Sequence, residues 1–167
     1  LNYIFNVEDK IEKELKAKSE FHIVVIRRTV MPGTNKNISE IIEKKSGKKL
    51  NIDFAVVSNP EFLREGSAVH DYYNPPVTVI GSDNKDAIQK VSSLYAELPA
   101  PIKAVSIEVA EMIKYVNNAW HALKITFANE VGNISKKLNI DSHEVMDLFV
   151  MDKQLNLSSY YLKPGFA

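Results

Sequence analysis

Apolar residues at Ile4, Val7, Ile11 and Leu15 return at helical spacing, which predicts an opening helix. HIVVI (His22–Ile26) is a β-branched run and predicts a buried strand. Pro32-Gly33 marks a turn. Residues 35–46 read as a helix with Ile38, Ile41 and Ile42 inside and Gly47 as its C-cap. FAVVS (Phe54–Ser58) is a second short strand, broken by Asn59-Pro60, and VTVIG (77–81) is a third. Residues 84–97 read as a helix with Ile88, Val91, Leu94 and Tyr95 facing inward, and IKAVSI (102–107) as a weak fourth strand. Strands separated by helices predict crossover units and a parallel sheet.

The texture then changes. No proline lies between Pro101 and Pro164, and from about Ser106 to Leu138 the helical pattern is unbroken. Ser106 suits an N-cap, and Glu108 is favourable in the first turn. Thirty-odd residues at ~1.5 Å each make a rod of about 45–50 Å. Asp141-x-x-Glu144 is a capping box for a shorter helix from Ser142 to about Met151. The expected organisation is an α/β part over residues 1–104 and an all-helical part over 105–167.

The long helix carries a polar stripe. At about 100° per residue, Lys114, Asn118, His121 and Asn129 fall within about 80° of one another. Much of the remainder is apolar, including Ile113, Val116, Trp120, Leu123, Phe127, Val131 and Ile134. A helix apolar on so many sides is expected to be buried on most of them. Its lysine and asparagines would then look into a cleft, because buried polar groups need partners. A solvent face and a polar seam between helices are the alternatives. Asparagine is a poor helix former, and an exposed face more usually carries Glu and Lys.

Composition narrows the chemistry. The 167 residues are 45% hydrophobic and 25% charged, with 21 basic and 21 acidic side chains, so the chain can bury a core. Residues 1–104 carry 15 basic and 14 acidic groups, and the rest 6 and 7. No region is basic enough for nucleic acid or an anionic membrane surface, and no apolar run reaches the roughly 20 residues of a membrane span. Without cysteine the chain has no disulfide and no thiol nucleophile of its own. The four histidines form no i, i+4 metal-ligand pair. The six glycines lie at least 14 residues apart, so neither GxGxxG nor a Walker A loop is present. The chain starts at Leu1 and stops at KPGFA, and both ends are expected to be cuts in a longer protein.

Further candidates lie on the connections. RRTVMPGT puts Thr29 after the first strand, where open α/β sheets meet ligands. NPEFLREGSA follows the second strand and sets Glu61 and Glu65 on either side of an arginine. His70 adjoins Asp71, but sequence neighbours rarely face each other. The tail NLSSYYLKPGF offers aromatic rings for stacking and Lys163 for a phosphate. Each of these alone is also compatible with an ordinary turn, surface loop or frayed end.

Taken together, RTVMPGT, NPEFLREGSAVHDY, PPVTVIG, EVAEMIKYVNNAWHALKITFANEVG and LNLSSYYLKPGFA resemble the nucleotide-sugar 6-dehydrogenases, in order and over nearly the whole chain. NPEFLRE with EMIKYxxN and FANE is very specific. The WHA segment and the tail look closer to the GDP-mannose branch than to the UDP-glucose branch. The resemblance implies the second half of a Rossmann-like, parallel-sheet NAD domain, followed by a central helical domain whose long helix makes a homodimer or larger assembly. It implies a cytoplasmic oxidoreductase of polysaccharide biosynthesis that takes a sugar C6 alcohol to the carboxylate with two NAD.

Residue by residue, the resemblance places Thr29 near NAD and the reacting carbon. Glu65 would lie by substrate and cofactor and activate water for thioester hydrolysis, with Glu61 a second carboxylate. Lys114 would stabilise the developing C6 oxyanion, and Asn118 would hydrogen-bond the same oxygen. His121 and Asn129 would line the sugar or nucleotide pocket. Tyr160, Tyr161, Lys163 and Phe166 would hold the nucleotide diphosphate. One departure is Arg28, where the family usually has a small hydroxyl residue, so the NAD contact at that turn should differ. The family's glycine fingerprint would precede Leu1 and its catalytic cysteine would follow Ala167. Hence the chain by itself should not complete the four-electron oxidation. The alternatives are a UDP-glucose enzyme, a dimerisation module without catalysis, and a hydroxyacid dehydrogenase, against which NPEFLRE argues.

Overall fold

A computed structural model describes residues 2–156, 162 and 164 of the chain, with the backbone alone for 2–9 and 155–156. The elements run α1 (Asn2–Ala17), β1 (His22–Ile26), α2 (Thr34–Ser46), β2 (Phe54–Ser58), α3 (Ala68–Tyr73), β3 (Thr78–Gly81), α4 (Lys85–Ser93), β4 (Ile102–Val105), α5 (Ile107–Leu138), α6 (Ser142–Phe149) and α7 (Lys153–Asn156). Packing divides them into two compact units, 1–117 and 118–167, so α5 belongs to both.

In the first unit the strands pair in the order β1-β2-β3-β4. β1 and β2 are parallel, as are β3 and β4. β2 and β3 meet antiparallel, through the single pair Ser58↔Gly81. The sheet is therefore mixed rather than wholly parallel as expected. The antiparallel step goes with the connection 59–77, whose helix α3 has only six residues. A parallel return needs a crossover that spans the sheet, usually on a full helix. Here the chain stays at the carboxyl end of β2 and enters β3 from that side.

The registers have a further consequence. Ile26 pairs with Ser58, Ser58 with Gly81, and Gly81 with Val105. These are the last residues of the four strands, so all four carboxyl ends form one row across the sheet.

β2 supplies both cores because every one of its residues is buried. Phe54 and Val56 pack on one side with Leu15, Val24, Ile38 and Ile42. Ala55 and Val57 pack on the other with Ile80, Ala87, Val91 and Tyr95. β1, expected as buried, is an edge strand among the described residues, and Val25 is exposed. Gly47 closes α2 as expected, at φ 74° with its N–H bonded to Glu43 O. α4 starts on an Asn84 cap and ends at Ser93, short of the expected 97. The helical periodicity therefore lapses, and Leu94 is 73% exposed while Tyr95 stays inside.

In the second unit Asp141 caps α6 by accepting the His143 N–H at 2.8 Å. Phe149 of that helix lies 5.4 Å from Phe127 of α5, ring centre to ring centre. The expectation that α5 is buried on most sides does not hold within one chain. Val116, Leu123, Phe127, Ile134 and Leu138 are all exposed. Among the described residues, α6 and α7, of eight and four residues, leave these side chains of the 32-residue α5 uncovered.

The start of α5 is seated closely on the sheet. A Cβ on Gly81 would lie 2.5 Å from Ala110 Cβ and 2.8 Å from the Ser106 carbonyl oxygen. One contact is backbone and the other a methyl on a helix, so neither yields freely. Gly81→Ala is expected to destabilise the protein by about 1–3 kcal/mol. Denaturant unfolding checks this, and a variant as stable as the parent would show that α5 is not held there.

Candidate active site

The row of strand ends brings three segments to one level: the loop after β1, the loop after β2 and the first turns of α5. Brought there with them is Lys114, the one residue of the polar stripe that is buried as expected. Lys114 is 7% exposed. Its ammonium donates to the Glu61 backbone carbonyl and stands 3.5 Å from Glu61 Oε1. It also lies 5.4 Å from the centre of the Phe62 ring, close enough for a cation–π contact. The other oxygen of Glu61 accepts the Leu63 N–H at 2.6 Å. An ammonium held in this setting is worth more electrostatically than one in water, because fewer water dipoles compete with it.

One turn before Lys114, the carboxylate of Glu111 reaches the opposite loop. It accepts N–H groups from Gly33 and Asn35 and from the Asn35 side chain, at 2.7–2.8 Å. Gly33 stands at the amino end of α2 with φ 90°. A helix amino end is a natural anion site, and here the protein fills it with its own carboxylate.

The loop after β2 is braced twice. Asn59 is buried and donates its side-chain amide to Val79 O at 2.9 Å and its backbone N–H to Ile26 O at 2.9 Å. Its side-chain oxygen accepts the Tyr95 hydroxyl. Burial raises the Tyr95 phenol above its ordinary pKa. Farther along, Asp71 takes Arg64 in a two-pronged ion pair, Nε to Oδ2 at 3.0 Å and Nη2 to Oδ1 at 2.7 Å. It also accepts the Arg64 backbone N–H and the Ser67 hydroxyl, both at 3.0 Å. These bonds, led by the guanidinium, hold the Asp71 carboxyl well below the usual carboxylate range. His70 is exposed, with Nδ1 3.8 Å from Asp71 Oδ1, so the aspartate serves the loop and not a His–Asp dyad.

The structure thus joins Lys114 and Glu61, 53 residues apart, and leaves other candidates separate. Thr29 is half-buried in the loop after β1, while Glu65 is exposed. Asn118, His121 and Asn129 are exposed on α5. Tyr160, Tyr161, Lys163 and Phe166 lie outside the described residues. The recess lined by Arg27, Glu61, Phe62, Tyr72 and Tyr95 has a volume of about 40 Å³, far below the roughly 300–1,000 Å³ of a typical ligand pocket. Sequence reasoning missed Glu111, Asn59, Tyr95 and the Arg64–Asp71 pair. Glu111 did carry a signal, since it stands three positions before Lys114 on a helix with apolar surroundings. Among the described residues no three acidic or histidine side chains gather to hold a metal ion.

A four-stranded α/β sheet with its strand ends in one row, continued into a long helix, defines a Rossmann-like α/β unit joined to a helical one. Residues 1–99 match the NAD binding domain of the UDP-glucose/GDP-mannose dehydrogenase family, and residues 108–167 match its central domain. The chain belongs to the UDP-glucose/GDP-mannose dehydrogenase family. It is 52% identical to GDP-mannose 6-dehydrogenase of Azotobacter vinelandii over its whole length, which spans 38% of that relative. It is 39% identical to UDP-glucose 6-dehydrogenase TuaD of Bacillus subtilis, over 88% of this chain and 31% of the relative. The crystal structure of a ternary complex of GDP-mannose dehydrogenase from Pseudomonas aeruginosa superposes with a TM-score of 0.96 at 52% identity, covering all of this chain and 38% of the other. A UDP-glucose dehydrogenase from Pyrobaculum islandicum gives 0.85 at 36% identity, over 91% of this chain and 35% of the other.

The Asp71 clasp has a definite pH signature. Its folded pKa is depressed, so its contribution to stability is complete above the ordinary carboxyl value of 3.8 and is lost as pH falls from there towards the folded value. Asp71→Asn should therefore lower the thermal midpoint at neutral pH, and the gap to the parent should close only below that value. Melting curves across pH check this, and a gap that closes near neutrality would contradict it.

Proposed function

We propose that this chain is part of an NAD-dependent oxidoreductase that converts the C6 alcohol of GDP-mannose to the carboxylate, GDP-mannuronate. The observation that carries the reading is the Lys114 ammonium, nearly buried beside Glu61 at the row of strand ends. As an alcohol loses its hydroxyl proton ahead of the hydride, negative charge builds on its oxygen in the transition state. A fixed ammonium aimed there stabilises that charge without rearranging solvent. Lys114 takes this role by exchanging its hold on Glu61 for the C6 oxygen. Asn118, four residues on along α5, adds a neutral donor to the same oxygen. Thr29 orders a water near the reacting carbon.

Oxidation to the acid removes two hydrides and adds one water. The covalent acyl stage needs a nucleophile, and this chain contains no cysteine. Glu65 then activates the water that releases the acid, with Glu61 as the second carboxylate. His121, Asn129, Tyr160, Tyr161, Lys163 and Phe166 keep the substrate-holding roles that the family resemblance implies.

NAD is tested by two features of the chain. It holds no glycine-rich loop, and the amino end of α2 is filled by Glu111. Neither feature would hold the NAD phosphates, so the part of this chain that would lie against NAD is the loop carrying Thr29, at the carboxyl end of β1. NAD supplies the hydride acceptor when bound. We assign residues 1–104 to the NAD domain and 105–167 to the central domain. Among the described residues no helix is long and apolar enough to cross a membrane, and a cytoplasmic site of action accords with the substrates proposed.

In the complete protein, Lys114→Ala should lower kcat about 100- to 1,000-fold, read as reduced nicotinamide formed from GDP-mannose. Near-normal turnover, or a parent that prefers UDP-glucose, would refute the reading. We also propose that the exposed side chains of α5, Val116, Leu123, Ile134 and Leu138, meet a second copy of the chain. Light scattering of the complete protein should give a dimer or larger, and a stable monomer would count against it.

A further inference from the structure

We infer that Glu111 is a positioning residue, which locks the loop carrying Thr29 to the turn of α5 carrying Lys114. The inference rests on the reading under Proposed function, and it concerns a residue that touches none of the reacting groups.

The geometry is specific. Glu111 is 2% exposed and Asn35 fully buried. Oε2 takes the Gly33 N–H at 2.7 Å, and Oε1 takes both the Asn35 N–H at 2.8 Å and the Asn35 Nδ2 at 2.7 Å. Two of these donors are backbone groups at the amino end of α2, which a helix leaves unpaired. The helix dipole adds to the attraction for a negative charge there. Bonds to an ionised acceptor are the strong ones, and they are directional. The carboxylate therefore fixes where α2 begins, and with it the end of the loop 27–33 that follows β1.

The same side chain fixes α5. Glu111 and Lys114 stand three residues apart, so they are neighbours on one helical face. Glu111 grips the loop after β1 while Lys114 grips the loop after β2 through Glu61. The two anchors act from neighbouring positions of one helical face. Ala110, next to Glu111, closes against Gly81 beneath them. With three points held, the Lys114 ammonium has little freedom relative to Thr29. Loss of the Glu111 charge would leave buried N–H groups without their acceptor and let the helix turn shift. A displacement of about 1 Å in a supporting element costs on the order of 100-fold in rate.

The test uses the complete protein with GDP-mannose. Glu111→Gln keeps the size of the side chain but turns an amide against an N–H donor. It should lower kcat by about 10- to 100-fold with KM moved by less than about threefold. Glu111→Asp, which restores the charge, should recover part of kcat. Hydrogen exchange at the Gly33 and Asn35 amides should quicken in Glu111→Gln at a temperature where the variant remains folded. A folded Glu111→Gln variant with parental kcat overturns the inference, as does slow exchange unchanged from the parent. Should Glu111→Gln fail to fold, Asn35→Ala decides, since it removes one bond and keeps the carboxylate. A fall in kcat of a few-fold supports the lock, and no fall overturns it. A parent that oxidises no nucleotide-sugar sinks the proposed function itself, and the exchange rates then decide separately whether the lock exists.

Discussion

A carboxylate sealed from water must find its donors inside the protein, and Glu111 finds them 76 residues away at the start of α2. Much of the arrangement at the strand ends depends on that one constraint. The amino end of α2 cannot serve an external anion while it holds Glu111. The first turn of α5 cannot slide along the sheet without breaking charge-assisted bonds. Lys114, on the next turn, inherits its position from this anchor and from its own hold on Glu61.

The sheet makes such anchoring useful. Because β2 and β3 run in opposite directions yet overlap at Ser58 and Gly81, the carboxyl ends of all four strands coincide. A wholly parallel sheet would also bring strand ends together, but a mixed one need not. Here the short connection 59–77, braced by Arg64–Asp71 and by Asn59, keeps the chain at that end. Polar groups that would be costly to bury alone thereby share one small region and satisfy one another.

Legibility in the sequence followed the range of each interaction. His22–Ile26 and Phe54–Ser58 were readable because β-branched runs bounded by breakers have a local cause. Gly47 and Asp141 were readable because caps act within a turn of their own position. The polar stripe of α5 was expected to look into a cleft, but only Lys114 of its four residues is buried, while Asn118, His121 and Asn129 are exposed. Helix α3 was missed because six residues are too few to show a helical period. Asn59 passed for a chain breaker, although it ties β1, β3 and Tyr95 together. The burial expected along α5 was not found, since an apolar pattern reports what must be covered and not which surface covers it.

The sequence by itself determined the strands, the long helix and the caps, because propensity, periodicity and turn chemistry act over a few residues. Its motifs also carried the family resemblance, since they keep residue type and spacing together along the chain. Only the tertiary structure decided that β3 runs against β2, that Lys114 meets Glu61 and that Glu111 closes α2. Those contacts join residues more than 50 positions apart, or turn on the direction in which a loop returns. Neither is set by local preference. Both follow from which arrangement of the whole chain leaves the fewest buried charges and N–H groups without a partner.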